Sequence, residues 1–130
     1  MDLILHRIEF KNSAGTFGEV LVKTRNTDFF CLSLEFQKEK LPSGIYVCKR
    51  VMHRVKTIDL PFETFEIGDT GAVFQTGNYV SDLYADNNVI LAAGYGFTAK
   101  LTRMAVNSNK AFDSFMKLQE GLNQFTLLIR

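Results

Sequence analysis

The feature that most constrains this chain is a succession of short β-favouring runs, each ended by turn-forming residues. LILHRIEF (3–10), FFCLSLEF (29–36) and QFTLLIR (124–130) are rich in aliphatic and aromatic residues and show the two-residue period of a strand. Segments such as RNTD (25–28) and GDTG (68–71) separate such runs. The pattern predicts a mainly β fold.

Further strands are predicted at TFGEVLVKT (16–24), IYVCKRVMH (45–53), on both sides of GDTG within 64–76, and at VILAAG (89–94). KNSAG (11–15) is predicted to be a turn. The segment 54–64 contains Pro61 and is expected to be irregular. Residues 77–88 are expected to form a loop rich in polar side chains.

One segment has helical periodicity, with apolar residues at three- and four-residue steps at Ala111, Phe112, Phe115 and Met116. Ser108 is a natural N-cap and Gly121 a natural stop, so the helix is predicted over about 109–120. The sequence thus predicts a compact antiparallel β-sandwich or partly closed barrel. The C-terminal helix is expected to pack against it, and a final strand follows.

Length and composition restrict the class of protein further. A chain of 130 residues, with 46% hydrophobic and 22% charged residues, predicts a single folded domain over 1–130. A net charge of +1 provides little attraction for a phosphate backbone, so nucleic acid is not expected as a partner. Neither a membrane-spanning segment nor a signal peptide is expected, since the chain has no apolar run of about 20 residues and starts without a basic leader.

The cysteines and histidines are few. Cys31 and Cys48 both lie in predicted strands and are expected to be buried free thiols, with a disulfide or a reactive thiol as the alternatives. His6 and His53 are the two histidines, too few for a zinc site beside unclustered cysteines. No metal and no cofactor are expected.

Six short motifs occur in an order that resembles a known family. They are TFG (16–18), CLSLE (31–35), LPSGIY (41–46), FQTGN (74–78) followed by Asp82, VILAAG (89–94) and SNKAF (108–112). Together they cover nearly the whole chain and resemble domain-of-unknown-function family 5675, which is found in bacteriophages and bacteria.

The resemblance implies a particular site. In that family a histidine stands two residues before the Gly-Asn pair and a Gly-Cys pair precedes the apolar run, similar to cell-wall L,D-transpeptidases with a cysteine nucleophile. This chain has Gln75 at the histidine position and Asn88-Val89 at the Gly-Cys position. Glutamine does not titrate and valine carries no nucleophile. The chain is therefore not expected to be an enzyme of this kind.

The residues left at this site are a candidate vestigial or binding site, comprising Gln75, Gly77, Asn78, Asp82 and Asn88. Their polar side chains suit hydrogen bonds that hold the loop, and Gly77 suits a positive φ or a close backbone approach. The alternative is a polar pocket that binds a glycan or a peptide. A cation site using Asp82 and Asp86 lacks the spacing of a calcium loop.

The resulting hypothesis is a non-enzymatic structural or host-recognition component of a bacteriophage particle, associated with the tail or capsid. Its partners would be other phage structural proteins or further copies of itself, in the virion or in the host cytoplasm before assembly. Aromatic side chains expected to anchor such an interface are Tyr79, Tyr84, Tyr95 and Phe97. The alternatives are a peptidoglycan-processing enzyme that uses Asp82 with a second carboxylate, and a module that binds peptidoglycan or a surface glycan.

Overall fold

The computed structural model describes residues 2–11, 14–22, 29–55, 58–100 and 102–130. Over these residues the chain forms ten strands and one α-helix: β1 Leu3–Lys11, β2 Gly15–Val22, β3 Phe30–Glu35, β4 Gly44–Val55, β5 Ile58–Ile67, β6 Phe74–Gln75, β7 Val89–Ala92, β8 Gly94–Phe97, β9 Arg103–Val106, α1 Ser108–Leu118 and β10 Gln124–Ile129. The mainly β prediction, with one helix and a final strand, is confirmed. The turn predicted at 25–28 lies outside the described residues, and so does part of the turn predicted at 11–15.

Eight of the strands form one sheet in the order β5-β4-β10-β1-β2-β3-β7-β6. Adjacent strands of this sheet run antiparallel, except for two pairs that run parallel: β1 with β10, and β6 with β7. The two edge strands meet at the turn that joins them, where Glu66 bridges to Val73 and the Ile67 amide donates to the Ala72 carbonyl at 2.8 Å. The sheet therefore curls into a partly closed barrel, as predicted.

Side chains at alternate positions of β1 and β10 fill the barrel. Leu3 and Leu5 of β1 point inward, as do Phe125, Leu127 and Ile129 of β10, and all are buried in one hydrophobic cluster. The helix contributes Phe115, whose ring centroid lies 4.7 Å from that of Phe74. Each such large side chain contributes about 1.5–3 kcal/mol by leaving water.

The two ends of the helix differ in how well they were predicted. The prediction that Ser108 is the N-cap is wrong, because Ser108 is the first residue of the helix. The N-cap position is held by Asn107, which has φ 51° and makes no capping hydrogen bond with its side chain. The Ser108 hydroxyl instead donates to the Leu91 carbonyl of β7. The helix ends at Leu118, two residues before the predicted end, and Gly121 in the following turn has φ 81°, the left-handed conformation expected of a glycine after a helix. Arg50 of β4 donates to the carbonyl of Gln119 at 2.6 Å and so fixes this end to the sheet.

Two parts of the sheet differ from the prediction. The segment 54–64 is not irregular: within the described residues β4 continues to Val55 and β5 begins at Ile58. Pro61 is tolerated there because β5 is an edge strand, where a missing amide need not interrupt a ladder. The β8–β9 hairpin was not predicted; its Tyr95 and Ala105 belong to a second hydrophobic cluster with Phe17 of β2.

Candidate functional site

The predicted site loop connects two parallel neighbours, β6 and β7. Parallel strands cannot be joined by a tight hairpin, so the chain must make a crossover of about a dozen residues. Residues 76–88 make this connection and contain one turn of 3-10 helix at Val80–Asp82. Side chains at its two ends, Gln75 and Asn88, determine how it is held.

Gln75 is completely buried and all of its amide's hydrogen-bonding capacity is used. Its Nε2 donates to the carbonyls of Thr76 and Asp82, both at 2.9 Å. Its Oε1 accepts from the Tyr84 amide at 2.8 Å and from Asn88 Nδ2 at 2.9 Å. Through these hydrogen bonds, Gln75 connects the middle and the end of the loop to β6.

Asn88 completes this network from the other end of the loop. It is also fully buried, and its Oδ1 accepts from the Val73 amide at 2.9 Å. Val89, which follows it, belongs to the barrel core. Gln75, Asn88 and Val89 are thus two bonded amides and a core hydrocarbon, none of which ionises.

Asn78 and Asp82 hold the outer part of the loop. Asp82 Oδ2 accepts from the amides of Asn78 and Tyr79, at 2.8 Å and 3.0 Å. The side chain of Asn78 donates to the Ala105 carbonyl of β9 at 2.8 Å. The polar groups of this segment consequently bond to backbone of the chain itself, which is the loop-holding arrangement that the sequence suggested.

Gly77 makes the close approach that was one of its two expected roles. A Cβ at this position would lie 2.9 Å from Ile90 Cδ1 and 3.0 Å from Asp82 Cβ, so a larger residue would require these side chains to shift. Its φ is outside the left-handed region. The Gly77 amide donates to Ser108 Oγ at 3.1 Å, so one hydroxyl joins the loop, the helix and β7.

The thiols and the imidazoles have different surroundings. Cys31 and Cys48 are free and belong to the barrel core, and burial raises the pKa of each thiol to about 12. The side chain of His6 is 45% exposed and lies 3.9 Å from Glu19. The ring centroid of His53 lies 5.4 Å from that of Phe62. Among these groups the structure forms no thiol–imidazole pair.

An aromatic groove of about 470 Å³ adjoins the loop. Its lining comes from the end of β4, from β5, from the loop after β6 and from α1, and consists of Val55, Pro61, Phe62, Thr76, Tyr84, Phe112 and Asp113. The ring of Phe62 lies 6.2 Å from Tyr84 and 6.1 Å from Phe112. Asp113 is the charged member of this lining.

Sequence reasoning identified one residue of this groove, Tyr84, and missed the others. The helical periodicity predicts that Phe112 lies on the buried face of the helix, and Phe112 is only 8% exposed. Phe62 lay in the segment expected to be irregular. No local signal associates these positions, because the groove exists only where the helix, β5 and the loop meet.

The four predicted interface residues divide into two kinds. Tyr79, Tyr84 and Phe97 are exposed, at 38%, 43% and 60%. Tyr95 instead packs edge-on against Phe17, with ring centroids 4.9 Å apart.

The hydroxyl of Tyr95 is also occupied by the chain itself. It lies 2.8 Å from the Gly18 carbonyl and 2.9 Å from the Ser33 carbonyl. Burial raises the pKa of Tyr95. This side chain is thus part of the packing beneath the β8–β9 hairpin.

Within the described ranges, neither a metal-ligand cluster nor a membrane-spanning helix is present. No three or more histidine, cysteine, aspartate or glutamate side chains in them are grouped as ligands for a metal ion. None of their helices has the length and apolar character needed to cross a membrane.

No family model, curated protein or solved structure matches this chain. The resemblance to family 5675 therefore stays a hypothesis that rests on the six motifs.

Proposed function

We propose that this chain is a non-enzymatic structural or host-recognition component of a bacteriophage particle, associated with its tail or capsid. In this proposal the crossover loop has kept its shape without the groups of a catalytic site. The phage assignment comes from the family resemblance, and the non-enzymatic assignment comes from the site itself.

The observation that carries the non-enzymatic part is the bonded pair of buried amides, Gln75 and Asn88. A general base must exchange a proton with a substrate, and neither amide titrates. Asp82, the carboxylate of the alternative hydrolytic interpretation, accepts hydrogen bonds from two backbone amides and shapes the turn. The buried thiols, with their pKa raised to about 12, are poor nucleophiles near neutral pH.

The binding part of the proposal uses the exposed aromatic side chains beside the β8–β9 hairpin. Tyr79 Oη lies 3.5 Å from the sulfur of Met104, and the guanidinium of Arg103 lies 5.7 Å from the centre of the Phe97 ring. Aromatic and arginine side chains of this kind are enriched among residues that dominate protein interfaces. We therefore assign the contact with a particle component to Tyr79 and Phe97.

The decisive experiment is to measure this chain in density-purified particles by quantitative mass spectrometry. We expect it at a constant ratio to the major structural proteins across the gradient. The Phe97→Ala and Tyr79→Ala variants should be depleted at least tenfold from particles while remaining folded in the lysate. Recovery of the wild-type chain solely in the particle-free fraction would refute the structural role.

A second candidate function, glycan binding, is favoured by the aromatic groove. The apolar faces of sugar rings stack on aromatic side chains, and Thr76 and Asp113 can bond sugar hydroxyls. The volume of about 470 Å³ falls within the range of small-molecule sites. Peptidoglycan or a surface glycan would be the ligand class.

Purified sacculi distinguish this candidate from the first. If it holds, sacculi should retain the wild-type chain, and Tyr84→Ala should weaken retention at least tenfold. Tyr79→Ala is the matched control, since Tyr79 has similar exposure and lies outside the groove. No retention, or equal loss in both variants, would remove this candidate, whereas release of soluble muropeptides would indicate an enzyme instead.

A further inference from the structure

The aromatic groove beside the crossover loop combines a buried apolar base with inclined aromatic rings. Val55 and Phe112 are its most buried members, each 8% exposed. Phe62 is half-buried and Tyr84 is exposed. The ring plane of Phe62 is inclined by 54° to that of Tyr84 and by 67° to that of Phe112. Phe62 therefore stands between two rings, neither of which is parallel to it.

The same groove contains three polar groups that the fold leaves free. They are the Thr76 hydroxyl, the Tyr84 hydroxyl and the Asp113 carboxylate. Within the described part of the chain, none of the three takes part in a hydrogen bond or an ion pair. In the adjoining loop, by contrast, the Asp82 carboxylate accepts hydrogen bonds from two backbone amides. The groove thus has hydrogen-bonding capacity that a ligand can use.

The charge of the groove is negative. Asp113 is exposed on α1, and it is the one charged side chain among the described residues that line the groove. Lys110, one helical turn earlier, lines a different cavity, and His53 lies against Phe62 without lining the groove. A carboxylate and aromatic rings both attract a cation, the first by its charge and the second by the negative face of the ring. The groove is therefore complementary to an ammonium group.

We propose that the aromatic groove binds a glycan that carries a free amine, with the ammonium group of an amino sugar paired with Asp113. This inference rests on the second candidate function, glycan binding, and specifies the ligand. The apolar face of the sugar ring lies against the aromatic side chains. Its hydroxyls bond the Thr76 and Tyr84 hydroxyls, which are otherwise free.

The combination of groups distinguishes an amino sugar from two simpler ligands. A neutral sugar displaces water from the Asp113 carboxylate without supplying a countercharge, which costs free energy. The ammonium group of a lysine side chain pairs with Asp113 but offers nothing to the hydroxyls of Thr76 and Tyr84. An amino sugar carries both kinds of group on one rigid ring, and a rigid ligand loses less conformational entropy on binding.

Isothermal titration calorimetry with two matched oligosaccharides tests the proposal. The ligands are a tetramer of glucosamine and the same tetramer with every amine acetylated, in a mildly acidic buffer that keeps the free amines protonated. Acetylation removes the charge and keeps the stereochemistry of the rings. We expect the wild-type chain to bind the free-amine tetramer about tenfold more tightly, through an exposed ion pair together with a cation–π contact.

The Asp113→Asn variant tests the assigned counterion. It removes the charge and keeps the size of the side chain, so it should bind the two tetramers equally and the acetylated one as the wild type does. Glu120→Gln is the matched control, because Glu120 is exposed just after the same helix and lies outside the groove. It changes the net charge by the same amount and should keep the wild-type preference. Thermal unfolding followed by circular dichroism verifies that both variants are folded.

Four results would overturn the inference. Equal affinity of the wild type for the two tetramers would do so and leave glycan binding in place. Loss of the preference in Glu120→Gln would attribute it to overall charge. Displacement of the free-amine tetramer by an equal concentration of a trilysine peptide would assign the groove to a polypeptide. Binding of neither tetramer would remove the glycan candidate and this inference together.

Discussion

The side chains of Gln75 and Asn88 are hydrogen-bonded to each other inside the protein, with Gln75 Oε1 and Asn88 Nδ2 2.9 Å apart. The bond joins the last residue of β6 to the residue that precedes β7. Through it, the loop between two parallel strands is closed by polar groups that water cannot reach. Both residues thus have a definite structural role in holding this loop.

Removing either amide should destabilise the protein. Gln75→Met keeps the size of the side chain but leaves the Tyr84 amide and Asn88 Nδ2 without their acceptor. We expect a loss of about 2–4 kcal/mol in the free energy of unfolding. Urea unfolding measures this loss. The Gln75→Met/Asn88→Leu double variant should lose less than the sum of the single losses, and strict additivity would show that the two amides are not coupled.

Ser108→Ala should destabilise the protein by about 1–3 kcal/mol, because it leaves the Leu91 carbonyl and the Gly77 amide unpaired. The matched control is Ser114→Ala, on the exposed face of the same helix. Alanine favours helix, so that variant should be neutral or slightly more stable. Equal thermal midpoints for the two variants would contradict the bridging role of Ser108.

Arg7 and Glu35 form a buried ion pair, with Arg7 Nη2 2.8 Å from Glu35 Oε2 and side chains 6% and 0% exposed. Glu35→Leu should cost about 3–5 kcal/mol, since it leaves an uncompensated buried charge. The Arg7→Met/Glu35→Leu double variant should recover most of that loss. Urea unfolding compares the two variants. If the double variant is no more stable than Glu35→Leu alone, then lost packing, rather than the buried charge, causes the loss of stability.

Because the two thiols are buried, we expect the protein to lose stability at high pH. The pKa of Cys31 and Cys48 is raised from 9.0 to about 12, so the folded state favours the protonated thiol. The free energy of unfolding therefore keeps its full value below pH 9. It declines as the pH rises toward 12, by up to about 1.4 kcal/mol per pH unit for each thiol. Urea unfolding between pH 7 and about pH 11 should show this decline.

The matched control for that experiment is the Cys31→Val/Cys48→Val double variant, which should show a shallower decline. Tyr95→Phe separates the contribution of the tyrosine, whose pKa burial also raises. An unchanged slope in the double valine variant would exclude the thiols as the cause.

Much of the fold could be predicted because it is encoded by local periodicity. The two-residue period of β10 determines that Phe125, Leu127 and Ile129 share a face, and the structure buries all three. The three- and four-residue steps of α1 place Phe115 inward in the same way. The left-handed conformation of Gly121, in the turn after the helix, follows from the backbone freedom of a single residue.

The tertiary structure alone decided what depends on residues distant in the chain. It placed β10 between β4 and β1, bonded Gln75 to Asn88, assembled the groove around Phe62 and Phe112, and left Phe30 outside while Phe29 packs within. The physical reason is that a strand's own period specifies which side chains share a face, but not which face is covered or by what. That choice depends on the burial free energy of the whole barrel, to which every strand contributes.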